Sequence, residues 1–487
     1  MLYHLKKSGY IFLLAIVVIF SFSCRKDKLL TDPSALLKFS LDTVLFDTVF
    51  TTIGSTTKRL LVYNTHNKSI LISSIQLAGG KNSNFRINVD GLPGDAQQIK
   101  IRPKDSLYIF IEVTVDPNNT NSPFVISDSI LFITNGNKQD VDLVAWGQNA
   151  IYYTPKYYQP GLPPYSIIEC NATWNNVKPY VVYGYAVVDS ACTLTIEQGT
   201  KIHFHRNAGL WVYRGGRIVV NGTKENPVEF RGDRLEWTYN EKPGQWDRIW
   251  INEGSSDNVF NYAIIKNAYI GLQIETLPFG NASISNNKCI LKNTRIQNCS
   301  GAGILARNYK IEGANCLIER SGEYNFIVAG GGEYDFRHCT FANYWKEGSR
   351  QTPAIFLQNY FTNIFTGSEV VKDISKCNFY NCIITGSLEN EFSTEWKSGG
   401  NINYLFHHSV IKTTVNTSTS SFVNIIKNPS GDLFKNYTLF DYHLSSNSSA
   451  INIGDPTQVS TGLEKDLDDV NRLSSGNPDA GCYEYVP

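Results

Sequence analysis

Apolar and polar positions in the second half of the chain recur in one short pattern, carried by Ala263 to Ala268, Thr294 to Cys299, Cys316 to Ser321, Cys339 to Tyr344, Cys377 to Cys382 and Ser409 to Thr414. The third position is always large and apolar: Ile265, Ile296, Ile318, Phe341, Phe379 and Ile411. The fifth is mostly Asn (Asn267, Asn298, Asn343, Asn381, otherwise Arg320 and Thr413), and the first and last are mostly small or Cys. Spacings such as Ile296 to Ile318 to Phe341 fall within the roughly 20–50 residues that mark solenoids, so each repeat predicts one coil of a parallel β-helix. In such a stack the apolar residues lie coil over coil, about 4.8 Å apart, as a continuous core. Asn tolerates the left-handed backbone of a tight corner, and stacked Asn side chains can ladder along the axis. Wider gaps, such as Phe341 to Phe379, read as loops inserted at a corner. Ile318 is expected to point inward, whereas its neighbour Glu319 should face out and tolerate Asp. A β-sandwich with a shared strand motif is the alternative, but its strands alternate in direction and have no reason to repeat one corner chemistry.

Residues 37–150 follow a different rule. Alternating runs at Lys38 to Phe50, Arg59 to Asn64, Ser69 to Leu77, Phe85 to Val89, Leu107 to Val115, Ser129 to Thr134 and Asp140 to Trp146 are separated by turn signals such as Gly79-Gly80, Asp116-Pro117 and Asn135-Gly136. About seven strands at this spacing predict an immunoglobulin-like sandwich. The succession Leu61-Val62-Tyr63-Asn64, Ser74-Ile75, Asn84-Phe85, Ile101 to Ser106 and Ile111 to Pro117 resembles the Ig-like domains of the abnormal-spindle/hydin type. That resemblance implies a spacer or a protein contact. A stretch rich in Pro and Tyr, with Pro155, Pro160, Pro163 and Pro164, reads as a stiff linker over 151–179, and the β-helix is expected over 180–487.

The start of the chain bears on where the protein works. Lys6 and Lys7 precede an apolar run from Ile11 to Phe22, a charged n-region and a short h-region. Ser21-Phe22-Ser23-Cys24 then resembles the lipobox of bacterial lipoproteins, which implies a signal peptide over 1–23, lipidation of Cys24 and a tether over 24–36. An ordinary secretory signal or an uncleaved anchor is the alternative. Arg25 stands where an inner-membrane retention signal has Asp, so the resemblance implies a lipid anchor in the outer membrane, on a face it does not fix.

Composition fits an exported all-β protein, with 13% aromatic residues, 27 Tyr, 26 Phe and one Met. A formal net charge of zero argues against nucleic acid as a partner. Beyond Cys24 there are nine cysteines, and an odd number cannot all pair. Five of them, Cys299, Cys316, Cys339, Cys377 and Cys382, occupy end positions of the repeat and read as small buried filler. One or two disulfides fit an oxidising compartment. Nothing has zinc-site spacing, and no metal or cofactor is expected.

Cys192 to Ile202, Gly215 to Thr223 and Pro227 to Phe230 closely resemble the opening coils of pectin-lyase-like right-handed β-helix proteins. Asp466-Leu467-Asp468, Arg472 and Asn477 to Tyr485 resemble the C-terminal closing motif of secreted β-helix lipoproteins, with Cys482 where Ala is commoner. The Asn-x-Asp, Asp-Asp, Gly-His-Gly and Arg-x-Lys set of polygalacturonases does not appear along the coils, and Asp468-Asp469 reads as a turn. A lyase would need a base and a cation, for which Lys201, His203, His205, Arg206, Arg231, Asp233, Arg234, Asp247 and Arg248 are candidates; His203 and His205 alternate and would share a face. An outward-facing polar row accounts for the same residues. Trp211, Tyr213, Trp237, Tyr239, Trp246 and Trp250 interleave with Arg214, Arg231, Arg234 and Arg248. Flat rings stack on sugar faces and guanidinium groups pair with carboxylates, a set that suits an acidic glycan. Packing of loops onto the coils, or contacts with a protein partner, would use the same residue types. The expectation is a cell-envelope lipoprotein whose β-helix binds a polysaccharide or another envelope component without catalysis; the alternative is a polysaccharide lyase or hydrolase.

Overall fold

The computed structural model describes residues 28–118, 120–255, 257–276, 288–363, 366–474 and 476–487, so the leader and Cys24 lie outside the described residues. The chain divides into two compact units, Met1–Asn149 and Ala150–Pro487. Among the described residues no helix is long and apolar enough to cross a membrane.

The first unit is a sandwich. One sheet contains Leu29–Leu30, Thr43–Phe50, Ser69–Leu77, Ala96–Ile101, Phe124–Thr134 and Asn137–Gln148; the other contains Lys38–Phe39, Lys58–Tyr63, Phe85–Val89, Leu92–Pro93 and Ser106–Val113. Strict alternation sends one face of each strand inward: Leu107, Ile109, Ile111 and Val113 are buried while Tyr108 and Phe110 are exposed. Asn135 and Gly136, both with positive φ, close the long hairpin that joins Phe124–Thr134 to Asn137–Gln148. The tether expected over 24–36 ends early, because Leu29–Leu30 pairs with Ser69–Ile70 and Ala35 is buried.

The second unit is a parallel β-helix. Successive coils add strands to three parallel sheets, which hold eleven, nine and ten strands among the described residues. The first sheet runs from Ile151–Tyr153 to Ile426–Lys427, the second from Tyr165–Ile167 to Phe392–Glu395, and the third from Thr173–Trp174 to Phe422–Val423. Residues 151–174 therefore form the first coil and not the linker expected over 151–179. Among the described residues no strand pairs with that coil from below, and aromatic rings close the core there: Trp174 stacks on Tyr180 at 4.4 Å and lies 5.1 Å from Tyr153. A disulfide between Cys170 and Cys192 ties it to the next coil. The other described cysteines are free and buried.

Five of the six repeats sit in the first sheet, where Ile202, Phe230, Ile265, Ile296, Ile318, Phe341, Ile384 and Ile411 stack in register. All are at most 1% exposed. Phe379 is the exception. It lies in the third sheet within a stack of Phe336, Phe379, Phe406 and Phe422, whose neighbouring rings are 5.5, 4.7 and 5.4 Å apart and nearly parallel. The residue over Phe341 is Ile384, five positions after Phe379. Gly313 sits under Phe336 in register, where any Cβ would fall 2.3 Å from the ring.

Corner chemistry follows the expectation at four of the six repeats, whereas Asn343 and Thr413 lack the left-handed backbone. Asn267 and Asn298 adopt left-handed backbone at the end of first-sheet strands, and Asn298 Nδ2 donates to Asn267 Oδ1 at 2.8 Å. At the preceding corner Asn315 donates to Asn293 and Asn293 to Asn261, at 3.1 and 3.2 Å. Past the last coil, the chain returns along the outer face of the first sheet. Phe434, Tyr442, Leu444, Leu467, Ala480 and Cys482 pack on Leu317, Ala342, Ile383 and Val410. This returning tail buries Glu319 completely, so the expectation that Glu319 faces solvent fails although its register is outward.

Candidate functional site

The residues expected between Trp211 and Trp250 separate into three environments. Trp246 belongs to the core: it is 2% exposed, stacks on Phe204 at 4.3 Å and donates its Nε1 proton to the Lys266 carbonyl at 2.9 Å. It is no ligand residue. A register shift between Arg248 and Ile249 places Asp247 and Arg248 consecutively on the outer side and turns Trp246 inward.

The second environment is the outer face of the second sheet. Val187, Trp211, Trp250 and Gln273 stack in register, with the two indoles 4.8 Å apart and nearly parallel. Tyr165, Tyr185 and Tyr213 pack around Trp211, which is only 5% exposed. Several polar groups here pair within the chain, although Asn252 Nδ2 is buried without a partner. Trp211 Nε1 donates to Asn252 Oδ1 at 2.6 Å and Trp250 Nε1 to Glu275 Oε1 at 2.8 Å. Arg248 forks onto Asp247 Oδ1 at 2.9 and 2.8 Å, Arg307 pairs with Glu275 at 2.9 Å, and Arg214 with Glu253 at 2.5 Å. The Tyr185 hydroxyl donates to Asp247, and burial pushes its acidity far out of reach. Neutralised in this way, Arg214 and Arg248 do not await an anionic ligand.

The third environment lies at the corner between the first and second sheets. Strands Lys201–Phe204 and Val228–Gly232 are neighbours, and beyond their ends His205 Nδ1 meets Asp233 Oδ2 at 2.7 Å. The carboxylate raises the His205 pKa, and Tyr183 stacks on the imidazole at 4.5 Å. His203 does not join this pair. It is 4% exposed, contacts the Gly232 carbonyl through Nδ1, and burial drives its pKa down to about 3, so it stays neutral. Lys201 and Arg206 are exposed.

From Asp233 the chain forms a loop whose short 3-10 turn, Trp237–Tyr239, presents Trp237 at 76% exposure. The loop is rigidly founded. Gln245 Nε2 donates to the Tyr239 and Lys242 carbonyls, Asn267 Nδ2 to the Asn240 carbonyl and Asn298 Nδ2 to the Glu241 carbonyl. Glu241 also pairs with Lys266 and Arg320, each at 3.0 Å. Arg234 forks onto Glu236 and lies 4.0 Å from the centre of the Tyr239 ring, with Lys242 at 4.8 Å. Arg231 donates to the Asn240 amide oxygen at 2.9 Å rather than to a carboxylate. The clamping residues Gln245, Asn267, Asn298 and Glu241 were not singled out as site residues, although the repeated fifth-position Asn was their signal.

Asp468 and Asp469 form a turn in the tail, as expected; Asp469 has positive φ and Asp468 pairs with His443 at 2.7 Å. Among the described residues the one grouping of three or more His, Cys, Asp or Glu ligand atoms is His407, His408 and Asp455. Two imidazoles and one carboxylate do not suit calcium, which takes six or more oxygens.

Residues 166–309 match a family model described as a pectate-lyase-like beta helix domain, a span that covers every residue of the three environments except Tyr165 and Arg320. No curated protein matches. Solved structures similar in part include a family 123 glycoside hydrolase from Clostridium perfringens, at 10% identity and a TM-score of 0.17 over 23% of this chain and 26% of that one. The E. coli chaperone DraB matches at 11% identity and a TM-score of 0.17, over 25% of this chain and 56% of that one. The Salmonella enterica SafA pilin in complex with the SafB chaperone matches at 13% identity, a TM-score of 0.17, over 24% and 56%. The chain thus spans about a quarter of the hydrolase and about half of each of the other two chains.

Proposed function

We propose that this protein is a lipid-anchored outer-membrane lipoprotein whose β-helix binds a polysaccharide without catalysis, through the loop that carries Trp237. One observation carries the reading: a large indole stands 76% exposed on a loop fixed by hydrogen bonds from three neighbouring side chains and by two ion pairs. A rigid exposed ring offers stacking area at little ordering cost, which suits the flat face of a sugar. The pectate-lyase-like match over 166–309 supports a polysaccharide-related role. Because Arg214, Arg234 and Arg248 already hold protein carboxylates, recognition rests on stacking, and of these four candidate arginines Arg231, which holds an amide oxygen, is the one to meet an acidic group. The sandwich serves as a spacer or protein contact.

The test is a panel of neutral and acidic glycans against the full-length protein in detergent. Trp237→Ala should weaken binding at least tenfold while leaving Tm unchanged. Equal affinity in the variant overturns the loop as the platform, and no binding across the panel overturns the glycan reading. A second reading, a lyase, is favoured by the His205 and Asp233 pair, an imidazole oriented by a carboxylate as a general base requires. New unsaturated ends that disappear in His205→Gln would establish it.

A further inference from the structure

At the end of the third sheet, two adjacent histidines face a residue of the returning tail. His407 Nδ1 and His408 Nδ1 are 3.0 Å apart, and Asp455 Oδ2 lies 3.6 Å from His407 Nδ1. All three ligand atoms fall within 4.8 Å of one another. Four-coordinate zinc, with ligands about 2.0–2.1 Å away, separates its ligand atoms by ~3.3 Å, which is the scale of this triangle. We propose that His407, His408 and Asp455 bind a divalent transition ion, zinc in the first place, and that the ion clips the tail to the last coils.

Each ligand is held before any ion arrives. Left-handed backbone at His408, the first of two residues between a third-sheet strand and a first-sheet strand, turns its ring back beside that of His407. Asp455 is gripped through its own peptide: its N–H donates to Asn381 Oδ1 at 2.8 Å, and Asn381 Nδ2 donates to its carbonyl at 3.0 Å. Asp455 Oδ1 is occupied by the N–H and hydroxyl of Thr457, which turns Oδ2 toward the imidazoles. Both His407 and Asp455 keep partial solvent access, at 21% and 15% side-chain exposure, so an ion can enter and a water can take the fourth position.

One outer contact bears on the set. Asn424 Nδ2 lies 2.9 Å from His408 Nε2 and donates to it; turning that amide over sets its oxygen against an Nε2 proton and leaves the lone pair on Nδ1 for the ion. Three lone pairs then converge with at most one proton between the neutral rings, and a divalent cation satisfies all of them together. Two imidazoles and a carboxylate select zinc, nickel or copper over calcium and magnesium. Sequence spacing conceals the set, because two ligands are adjacent and the third comes from the tail.

The full-length protein, stripped with EDTA and exchanged into clean buffer, is titrated with zinc chloride by calorimetry and followed by thermal unfolding and limited proteolysis. The expected result is one zinc per chain, a Tm higher by a few degrees and slower cleavage of the tail. Asp455→Asn, which keeps the Thr457 and Asn381 contacts, and His408→Ala should each abolish all three effects. Asn424→Leu should weaken zinc by about 10–100-fold as a positioning residue. His443→Ala, in a separate His and Asp cluster of the tail, should bind as the parent does. Absence of stoichiometric zinc from the parent, or its full retention in Asp455→Asn, overturns the proposal.

Discussion

Glu319 is the residue whose substitution distinguishes the structure most sharply from a bare stack of coils. Its register is outward, yet it is fully buried: its carboxylate pairs with Arg320, itself 3% exposed, and accepts the Tyr442 hydroxyl proton at 2.9 Å from the tail. Removing one member of a buried pair strands the other, at about 3–5 kcal/mol. Arg320 keeps a second partner, Glu241, at 3.0 Å, but that carboxylate is 42% exposed and screened. Glu319→Gln should therefore cost about 3 kcal/mol, a large fraction of the ~5–15 kcal/mol that holds a domain together. Tyr442→Phe removes a hydrogen bond to a charged acceptor and should cost about 1.5–3 kcal/mol. The double variant should cost less than the sum, because both act on one network. Glu319→Asp should also destabilise, since the shortened chain cannot reach Arg320 and Tyr442 together. Denaturant unfolding measures these values, and limited proteolysis reports release of the tail. A Glu319→Gln cost within about 0.5 kcal/mol, the range of a surface substitution, would refute the docked tail.

Trp246→Ala should cost about 3–5 kcal/mol in the same assay, whereas Trp237→Ala should leave unfolding unchanged, because only the first empties a filled core site. Asp468 and Asp441 both raise the His443 pKa. A raised folded pKa stabilises fully below the unfolded value and is lost as pH rises through the folded one, so the fall in stability from mildly acidic to alkaline pH should be shallower in His443→Asn. Cys24→Ala should move the protein from the membrane to the soluble fraction, because acyl chains supply most of such an anchor's affinity; unchanged fractionation would defeat the lipoprotein reading.

The β-helix was legible because its corners constrain chemistry as well as hydropathy: an apolar residue stands two places before a left-handed residue, mostly Asn, in several coils. The same rule caused one misreading. Cys377-Asn378-Phe379-Tyr380-Asn381-Cys382 satisfies it in the third sheet, while the true first-sheet segment starts at its last residue, Cys382. Period two tells inward from outward but not which of three sheets a strand joins. Trp246 was misplaced because one bulge reverses parity between it and Trp250. Glu319 was misplaced because its cover comes from more than a hundred residues downstream, a distance over which no local pattern carries information.

Scaffold and candidate site are joined through these corners. Asn267 and Asn298 bond one another along the helix axis and also hold the carbonyls of Asn240 and Glu241, so the stacking that propagates the coils fixes the loop under Trp237. One coil further on, Arg320 takes the Asn place with the same left-handed backbone. Its guanidinium reaches Glu241 of the loop, pairs with Glu319 and lies 3.4 Å over the ring of Phe440 in the tail. An Asn there could hold the corner but could not span loop and tail together. The departure from the repeat at Arg320 is thus the point where the docked tail meets the Trp237 loop, and loosening the tail should loosen the loop through Glu241.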